Sequence, residues 1–274
     1  MAQKNKKLRL DQLLVLRKLA PSRERAQAII LAGQALVDDR AVDKPGRMFP
    51  ESVTLAVRKD PNPYVSRGGL KLARALEVFN IALKGKRAVD IGASSGGFSD
   101  CLLKHGVNKI IAVDVGYGQL NWKLQKDPRM TVVDRANARY ITLEKLSCAP
   151  LDIAVIDVSF ISLQLIIPPA IGLLKEEGDL IALVKPQFEV GKDEVENKGI
   201  IKDPAKHLKV LLKLTAFVKR LGWVVTGAVP SPITGQKGNR EFLVHCLRNT
   251  RGPGLDDGFI QDMVNHANSE ERPQ

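Results

Sequence analysis

Four short stretches of the sequence carry side chains that could move a proton. Lys71 lies in SRGGLKL, Asp157 in IDVSFISL, Lys185 in LVKPQFEVG and Glu241 in GNREFL. Lys185 directly follows the apolar run LIALV, so we expect its amine at the mouth of a partly desolvated cleft, where a lysine can act as general base for a hydroxyl. Taken singly, each side chain also fits an ordinary surface ion pair. Because all four stand at or beside predicted strand ends, they indicate acid–base chemistry at one sheet edge.

The stretch RAVDIGASSGGF is compatible with two different chemistries. As the G-x-S-x-G elbow of a serine hydrolase it would make Ser94 the nucleophile, and Asp157 and His207 would follow in the required chain order. As a glycine-rich turn between a strand and a helix, it would let a nucleotide cofactor lie against the backbone. His207 falls in PAKHLKVLLKL, which is a helical pattern rather than the loop after a strand. The hydrolase is therefore the disfavoured alternative.

Acidic residues on both sides of this turn favour a nucleotide cofactor. Asp114 ends the strand pattern IIAVD, 22 positions after Gly92, close to the interval of about 20 for a carboxylate that binds ribose hydroxyls. The spacing of Gly92, Gly96 and Gly97 is not G-x-G-x-x-G, which disfavours a dinucleotide. Asp90, just before the turn, suits a cofactor with a positively charged, phosphate-free part, namely S-adenosylmethionine. A tight turn without a ligand is the remaining alternative.

The elements that position these residues alternate between strand and helix patterns. Apolar runs such as IAVID and LIALVK are continuous, as expected for parallel strands covered on both faces. The last two strands have no helix between them and should pair antiparallel. We predict an α/β fold with a doubly wound, mostly parallel, seven-stranded Rossmann-like sheet. The predicted strands lie near residues 87–91, 109–113, 130–133, 152–157, 179–185, 222–229 and 241–247.

The first quarter of the chain predicts a separate small α+β domain. Leucines between residues 10 and 19 predict a short amphipathic helix, and Ser22 predicts the N-cap of a second helix that ends at Gly33. Strands are predicted at 35–37 and 53–57. The prolines of DPNP mark a linker. The predicted division is 8–59 for the small domain, 60–66 for the linker, 67–248 for the sheet domain and 249–274 for a weakly ordered tail.

Charge and composition narrow the class of partner. The formal net charge is +12, and residues 1–67 contain 14 Lys and Arg against 7 Asp and Glu, a concentration that favours binding to a nucleic-acid backbone. The three cysteines form no C-x-x-C pair and the four histidines no H-x-x-x-H pattern, so no metal site is expected. The longest charge-free run, Val158 to Leu174, falls short of the roughly 20 apolar residues of a membrane span, and Asp11 and Arg17 interrupt the apolar core that a signal peptide would need, so we expect neither. We expect a cytoplasmic protein and leave its oligomeric state open.

Six motifs together resemble one known family. DIGASSGGFSD, DVGYGQL, DVSFISL, VKPQFEVG, GIIKD and GNREFL are similar to the TlyA family of ribosomal RNA 2′-O-methyltransferases, also called hemolysin A, and more distantly to FtsJ-type enzymes. The resemblance runs from about Leu8 to Arg248. Its N-terminal part is similar to the αL RNA-binding module of a ribosomal protein and of pseudouridine synthases.

The resemblance implies methyl transfer from S-adenosylmethionine to a ribose 2′-hydroxyl, with cytidine in ribosomal RNA as the expected target and ribosomal RNA or a ribosomal subunit as the partner. The family's Lys-Asp-Lys-Glu tetrad falls on Lys71, Asp157, Lys185 and Glu241. The implied cofactor contacts are Asp90, Gly92, Ala93, Ser94, Gly96, Gly97, Asp114 and Asp157, with Asp134 or Asn137 near the adenine. The implied RNA contacts are Arg9, Arg17, Arg23, Arg25 and Lys44.

Two alternatives stay open beside the methyltransferase. An RNA-binding ribosome-assembly factor with an inactive methyltransferase fold would be expected to lack the tetrad or the glycine turn, and the sequence has both. A membrane-active hemolysin, suggested only by the family's second name, would need an amphipathic or spanning apolar segment of convincing length.

Overall fold

The chain forms two structural units. The computed structural model describes residues 7–58, 62–191 and 199–269, and its first unit is Met1–Pro63 and its second Tyr64–Gln274. The boundary falls inside the segment 60–66 that the sequence predicts as a linker, of which residues 60–61 lie outside the described residues.

The first unit is a small α+β module. Ser22 caps the second helix by accepting a hydrogen bond from the Arg25 amide, and Gly33 adopts φ +67° just after that helix, as predicted. The middle strand β2 pairs antiparallel with β3 and β5, while β1 pairs with β4. The sequence did not predict β1, β3 and β4, which are two or three residues long. The elements are β1 (Lys7–Arg9), α1 (Leu10–Leu16), α2 (Arg23–Leu31), β2 (Ala35–Val37), β3 (Arg40–Ala41), β4 (Met48–Pro50) and β5 (Leu55–Val57).

The second unit is built on one seven-stranded sheet in the order β11-β12-β10-β9-β6-β7-β8. Only β12 runs against its neighbours, so the predicted doubly wound, mostly parallel sheet with one antiparallel strand is confirmed. The strands are β6 (Arg87–Ile91), β7 (Lys109–Val113), β8 (Met130–Val133), β9 (Leu151–Ile156), β10 (Leu174–Val184), β11 (Trp223–Pro230) and β12 (Phe242–Arg248).

Helices cover both faces of this sheet. Along β6, Val89 and Ile91 belong to the core cluster that includes buried residues of α6, α8 and α9, whereas Ala88 belongs to the cluster that includes α3 and α4. Burial on both faces explains why the strands read as continuous apolar runs. The helices are α3 (Gly68–Val78), α4 (Gly97–Lys104), α5 (Trp122–Gln125), α6 (Ile167–Ile171), α7 (Pro186–Glu189), α8 (Pro204–Arg220) and α9 (Asp257–Ser269).

The expectation of a weakly ordered tail over 249–274 is wrong for most of that segment. Helix α9 packs against α8 and β11 and buries Ile260, Val264 and Ala267 almost completely. These residues recur at four- and three-residue spacing, so one face of the helix is apolar although the segment as a whole is polar. Residues 270–274 lie outside the described part of the chain.

Ile260 and its neighbour Phe259 offer a direct test of this packing. Ile260 is 1% exposed and Phe259 is 47% exposed. We expect Ile260→Ala to lower the free energy of unfolding by about 3 kcal/mol, because truncation leaves a cavity, and Phe259→Ala to lower it by less than about 1 kcal/mol. Urea unfolding of both variants measures the difference. Equal, small effects would show that α9 contributes nothing to the core.

Candidate active site

Two adjoining cavities open where the parallel strands end. The first, about 320 Å³, we call the lysine cavity because Lys71 and Lys185 line it. The second, about 440 Å³, we call the Asp114 cavity after the carboxylate on its wall. Ligands of open α/β sheets bind at this carboxyl edge. The two cavities share one wall, formed by Gly92, Ser94, Asp157, Ser159 and Phe160.

Strand register brings the four predicted proton-transfer side chains to the lysine cavity. Asp157 directly follows β9 and Lys185 directly follows β10, and these strands are parallel neighbours. Glu241 directly precedes β12, whose first residue pairs with the last residue of β10, so Glu241 stands beside Lys185 in the register. Lys71 enters from α3. All four line the cavity.

These side chains form two lysine–carboxylate pairs. Lys71 Nζ lies 2.5 Å from Glu241 Oε2, and Lys185 Nζ lies 2.6 Å from Asp157 Oδ1. Both lysine side chains are only 11% exposed. Lys185 also donates a hydrogen bond to Ser159 Oγ at 2.9 Å. Both pairs are largely withdrawn from water, unlike surface ion pairs.

The turn after β6 lies tightly against the end of β9. Gly92 has φ +84°, and a Cβ there would lie 2.4 Å from the Asp157 carbonyl oxygen. A Cβ on Gly97 would lie 2.2 Å from Ser66 Oγ. No other residue fits at Gly92 without moving the backbone that carries Asp157. These glycines therefore let the turn lie close to the end of β9 and to Ser66, and the predicted approach of a cofactor to the same backbone stays a prediction.

Asp114 joins the glycine turn to the end of β7. Its Oδ2 accepts a hydrogen bond from the Ser94 amide at 2.8 Å, and its Oδ1 accepts one from the Gly116 amide at 2.7 Å. An ionised carboxylate has about four acceptor positions, so each oxygen keeps capacity for a ligand hydroxyl. Asp114 is half-buried and lines its cavity, where it could hold a diol.

Only some of the predicted cofactor contacts lie at the cavities. Ala93, Ser94 and Gly97 line the lysine cavity, and Asn137 lines the Asp114 cavity. Gly96, Asp90 and Asp134 line neither of the two. Asp134 instead accepts a hydrogen bond from the Gly118 amide at 3.0 Å.

Asp90 is fully buried beneath the turn. Its Oδ2 accepts a hydrogen bond from Ser99 Oγ of α4 at 2.7 Å, and burial raises the pKa of this carboxyl to about 7. Asp90 follows Ala88 at the two-residue period of a strand, so its side chain lies on the α4 face rather than at the open edge. It supports the turn from below.

The basic residues of the first unit divide into two groups. Arg9 and Arg23 both donate hydrogen bonds to the fully buried carboxylate of Asp11, and the Arg9 guanidinium holds the pKa of Asp11 well below its usual range. Arg17 donates to the Glu51 carbonyl. Arg25 and Lys44 are exposed and, among the described residues, have no ion pair. Of the five predicted RNA contacts, Arg25 and Lys44 are therefore the two side chains that contribute least to the structure of the module itself.

Sequence reasoning missed two aromatic residues and one hydroxyl at the cavities. Phe160 is 88% exposed, adopts φ +63° and borders both cavities, and its ring centroid lies 4.9 Å from that of Phe188. Ser159 contacts Lys185. The available signal was the phenylalanine in DVSF, four residues after the last residue of β9 and therefore at the edge where ligands of α/β sheets bind.

The hydrolase alternative is wrong. His207 is buried within α8, where its Nε2 lies 3.0 Å from the Ile201 carbonyl oxygen. Among the described residues, no histidine lines either cavity, so Ser94 has no base. Within the same ranges no group of His, Cys, Asp and Glu could hold a metal ion, and no helix is long and apolar enough to cross a membrane.

The sheet order, the glycine turn and the strand-end carboxylate define a Rossmann-like α/β fold of the methyltransferase type. Residues 64–248 match the family described as FtsJ-like methyltransferase, and residues 8–53 match the S4 domain. The chain belongs to the FtsJ-like methyltransferase family.

Similar proteins extend over nearly the whole chain. TlyA of Mycobacterium tuberculosis, named a 16S/23S rRNA (cytidine-2′-O)-methyltransferase, is 40% identical over 266 residues, which are 97% of this chain and 98% of that protein. Hemolysin A of Brachyspira hyodysenteriae is 38% identical over 240 residues, 88% of this chain and 100% of that protein. A solved structure from Streptococcus thermophilus that carries a provisional hemolysin name has a TM-score of 0.76 at 40% identity and covers 97% of both chains.

Asp90 makes stability depend on pH. Because burial raises its pKa from 3.8 to about 7, the folded protein binds more protons than the unfolded chain between these values. Its contribution to stability is therefore complete below pH 3.8 and is lost as the pH rises through about 7. We expect Asp90→Asn to gain a few kcal/mol over the wild type between pH 5 and pH 8, measured by urea unfolding. Parallel stability curves for the two proteins would contradict this assignment.

Proposed function

We propose that this protein transfers a methyl group from S-adenosylmethionine to the ribose 2′-hydroxyl of a cytidine in ribosomal RNA. The observation that carries the proposal is the Lys185–Asp157 pair, which lies at the wall between a cavity suited to a nucleoside and a cavity suited to a target ribose. The names of the full-length relatives support the same reaction and the same target nucleotide.

The Asp114 cavity fits the adenosine part of S-adenosylmethionine. Val113, Ala138 and Ile166 give it an apolar lining suited to a flat base, and Asn137 adds a polar edge. Asp114 accepts the two ribose hydroxyls through its remaining lone pairs. Gly92 lines both cavities and carries no side chain that would obstruct the chain of the cofactor on its way to the lysine cavity. When bound, S-adenosylmethionine supplies a methyl group on a positively charged sulfur.

Lys185 acts as the general base in this proposal. Its amine takes the proton of the 2′-hydroxyl while that oxygen forms a bond to the methyl carbon and the carbon–sulfur bond breaks. The Asp157 carboxylate lies 2.6 Å from the amine and stabilises the ammonium that forms. Lys71, held by Glu241, lines the same cavity, where its ammonium can donate a hydrogen bond to an oxygen of the bound nucleotide. No covalent enzyme intermediate is needed, so alignment supplies much of the rate.

Phe160 and Phe188 receive the target base. Their rings form a tilted pair at the mouth of the lysine cavity, and the Phe160 ring is mostly exposed. Enzymes that act on one nucleotide take it out of its stack and hold the base against aromatic side chains. A ribose within reach of Lys185 would bring its base to these rings.

Lys185→Ala tests the base assignment. We expect the methyl-transfer rate to fall by about 100- to 10,000-fold, the usual contribution of a general base, while the Kd for S-adenosylmethionine stays within about twofold. Lys175→Ala is the matched control, since Lys175 lies in β10, the strand that Lys185 follows, is exposed and pairs with Asp152. Rates come from tritium transfer and affinities from calorimetry. A Lys185→Ala enzyme as fast as the control would end the assignment.

Arg25 tests the contribution of the S4 module. Because Arg25 is exposed and, among the described residues, unpaired, we expect Arg25→Ala to weaken RNA binding several-fold and to reduce the salt dependence of log K by about one unit, without changing the melting temperature. Lys109→Ala is the control, because Lys109 begins β7 and lies at the sheet edge away from the cavities. Affinities are measured by filter binding at several salt concentrations. Equal effects of both variants would argue for non-specific attraction.

The function itself is tested with purified protein, tritiated S-adenosylmethionine and unmodified ribosomal subunits, followed by nucleoside analysis. Label on the ribose of cytidine supports the proposal, and label on a base contradicts it. Cofactor binding without any transfer to either subunit would favour the alternative of an inactive assembly factor.

A further inference from the structure

The amine of Lys185 meets two oxygens from the same short segment. Asp157 Oδ1 lies 2.6 Å from Lys185 Nζ, and Ser159 Oγ accepts a hydrogen bond from it at 2.9 Å. We propose that Ser159 is a positioning residue that, together with Asp157, fixes the direction of the Lys185 lone pair. This inference rests on the proposed function, because it concerns how the base is aimed.

The backbone explains why both oxygens reach one amine. The Asp157 amide donates to the Ile91 carbonyl at 2.9 Å, which continues the pairing of β9 with β6 beyond the last residue of the strand. Because Ile156 pairs with Ala182, Asp157 and Ser159 lie just beyond the end of β9 and beside the end of β10. Lys185 is the first residue after the parallel strand β10 and has extended backbone angles, so it lies beside Asp157 and Ser159, which follow the neighbouring strand.

A neutral lysine amine needs two hydrogen-bond acceptors to fix its orientation about the Cε–Nζ bond. A neutral lysine amine has two N–H bonds and one lone pair around the bond to Cε. When Ser159 accepts one N–H and the Asp157 carboxylate attracts the second across the 2.6 Å contact, the lone pair is left with the remaining tetrahedral direction. The Lys185 side chain is 11% exposed, so water has little access to compete for these N–H groups. With one acceptor alone, rotation about the Cε–Nζ bond would spread the lone pair over several directions.

The position of Ser159 matches this role. Ser159 lines both cavities, so it stands where a methyl donor on one side and a ribose hydroxyl on the other must meet. A hydroxyl also adds no second negative charge beside Asp157, which already balances the ammonium. Ser162, three residues later, makes the contrasting case, because its hydroxyl caps a short 3₁₀ helix and donates to Glu189 without lining either cavity.

The test compares kcat with KM for Ser159→Ala, Ser159→Thr and Ser162→Ala in the tritium-transfer assay. We expect Ser159→Ala to lower kcat by about 10- to 100-fold, the cost of a misdirected reacting group, with KM for ribosomal subunits and Kd for S-adenosylmethionine within about twofold. Ser159→Thr keeps the hydroxyl and should recover most of kcat. Ser162→Ala should retain the wild-type kcat although it lowers the melting temperature.

The outcomes separate this inference from the proposed function. Wild-type kcat in Ser159→Ala, with the wild type active in the same assay, would overturn the positioning role and leave the proposed function standing. A raised KM or Kd with unchanged kcat would also overturn it, because Ser159 would then bind a substrate instead of aiming the base. A wild-type protein that transfers no methyl group would overturn both.

Discussion

The site depends on one close backbone contact, the approach of the Asp157 carbonyl to Gly92. A Cβ at Gly92 would lie 2.4 Å from that oxygen, and the Asp157 amide is bonded to the Ile91 carbonyl, so the ends of β6 and β9 are held together. This contact makes Gly92 and Asp157 part of one wall shared by both cavities. A side chain at Gly92 would push the ends of β6 and β9 apart. Asp157 and its partner Lys185 would then shift relative to the cofactor cavity.

In both units, buried or half-buried charged side chains are paired with groups that balance or bind them. Each lysine of the cavity has its own carboxylate, and Asp114 accepts hydrogen bonds from backbone amides instead of pairing with a cation, so each of these charges has a partner. Removing one member of such a pair leaves the other uncompensated in a poorly hydrated place. In the first unit the buried Asp11 binds Arg9 and Arg23 at once. These two arginines therefore stabilise the small module itself, and their substitution would change its fold as well as any RNA contact.

Much of this architecture could be predicted because it depends on local pattern. Continuous apolar runs predicted the strands of the sheet. Because neighbouring parallel strands end at the same edge, the residues that follow β9 and β10, Asp157 and Lys185, come together. The sequence assigned both Asp90 and Asp114 to the cofactor, since both are acidic residues beside a glycine turn. Strand alternation decides: Asp90 lies on the buried α4 face, whereas Asp114 stands beyond the end of β7. Helix α9 was missed because its three buried residues are diluted by polar neighbours, and only packing against α8 reveals the face they share.

The shared wall also constrains which kind of transfer the site can perform. Five residues border both cavities, so groups bound on the two sides are separated by little more than the Asp157, Ser159 and Phe160 side chains. A direct displacement needs the donor, the transferred carbon and the acceptor oxygen nearly in line. Two ligands that occupy neighbouring cavities with a shared lining can meet in this way. A nucleophile on the protein would instead have to lie between them, together with a histidine or a second base to activate it. The described lining offers the Lys185 amine in contact with Asp157 and Ser159 of the shared wall, and an amine at this place suits proton removal from an incoming hydroxyl.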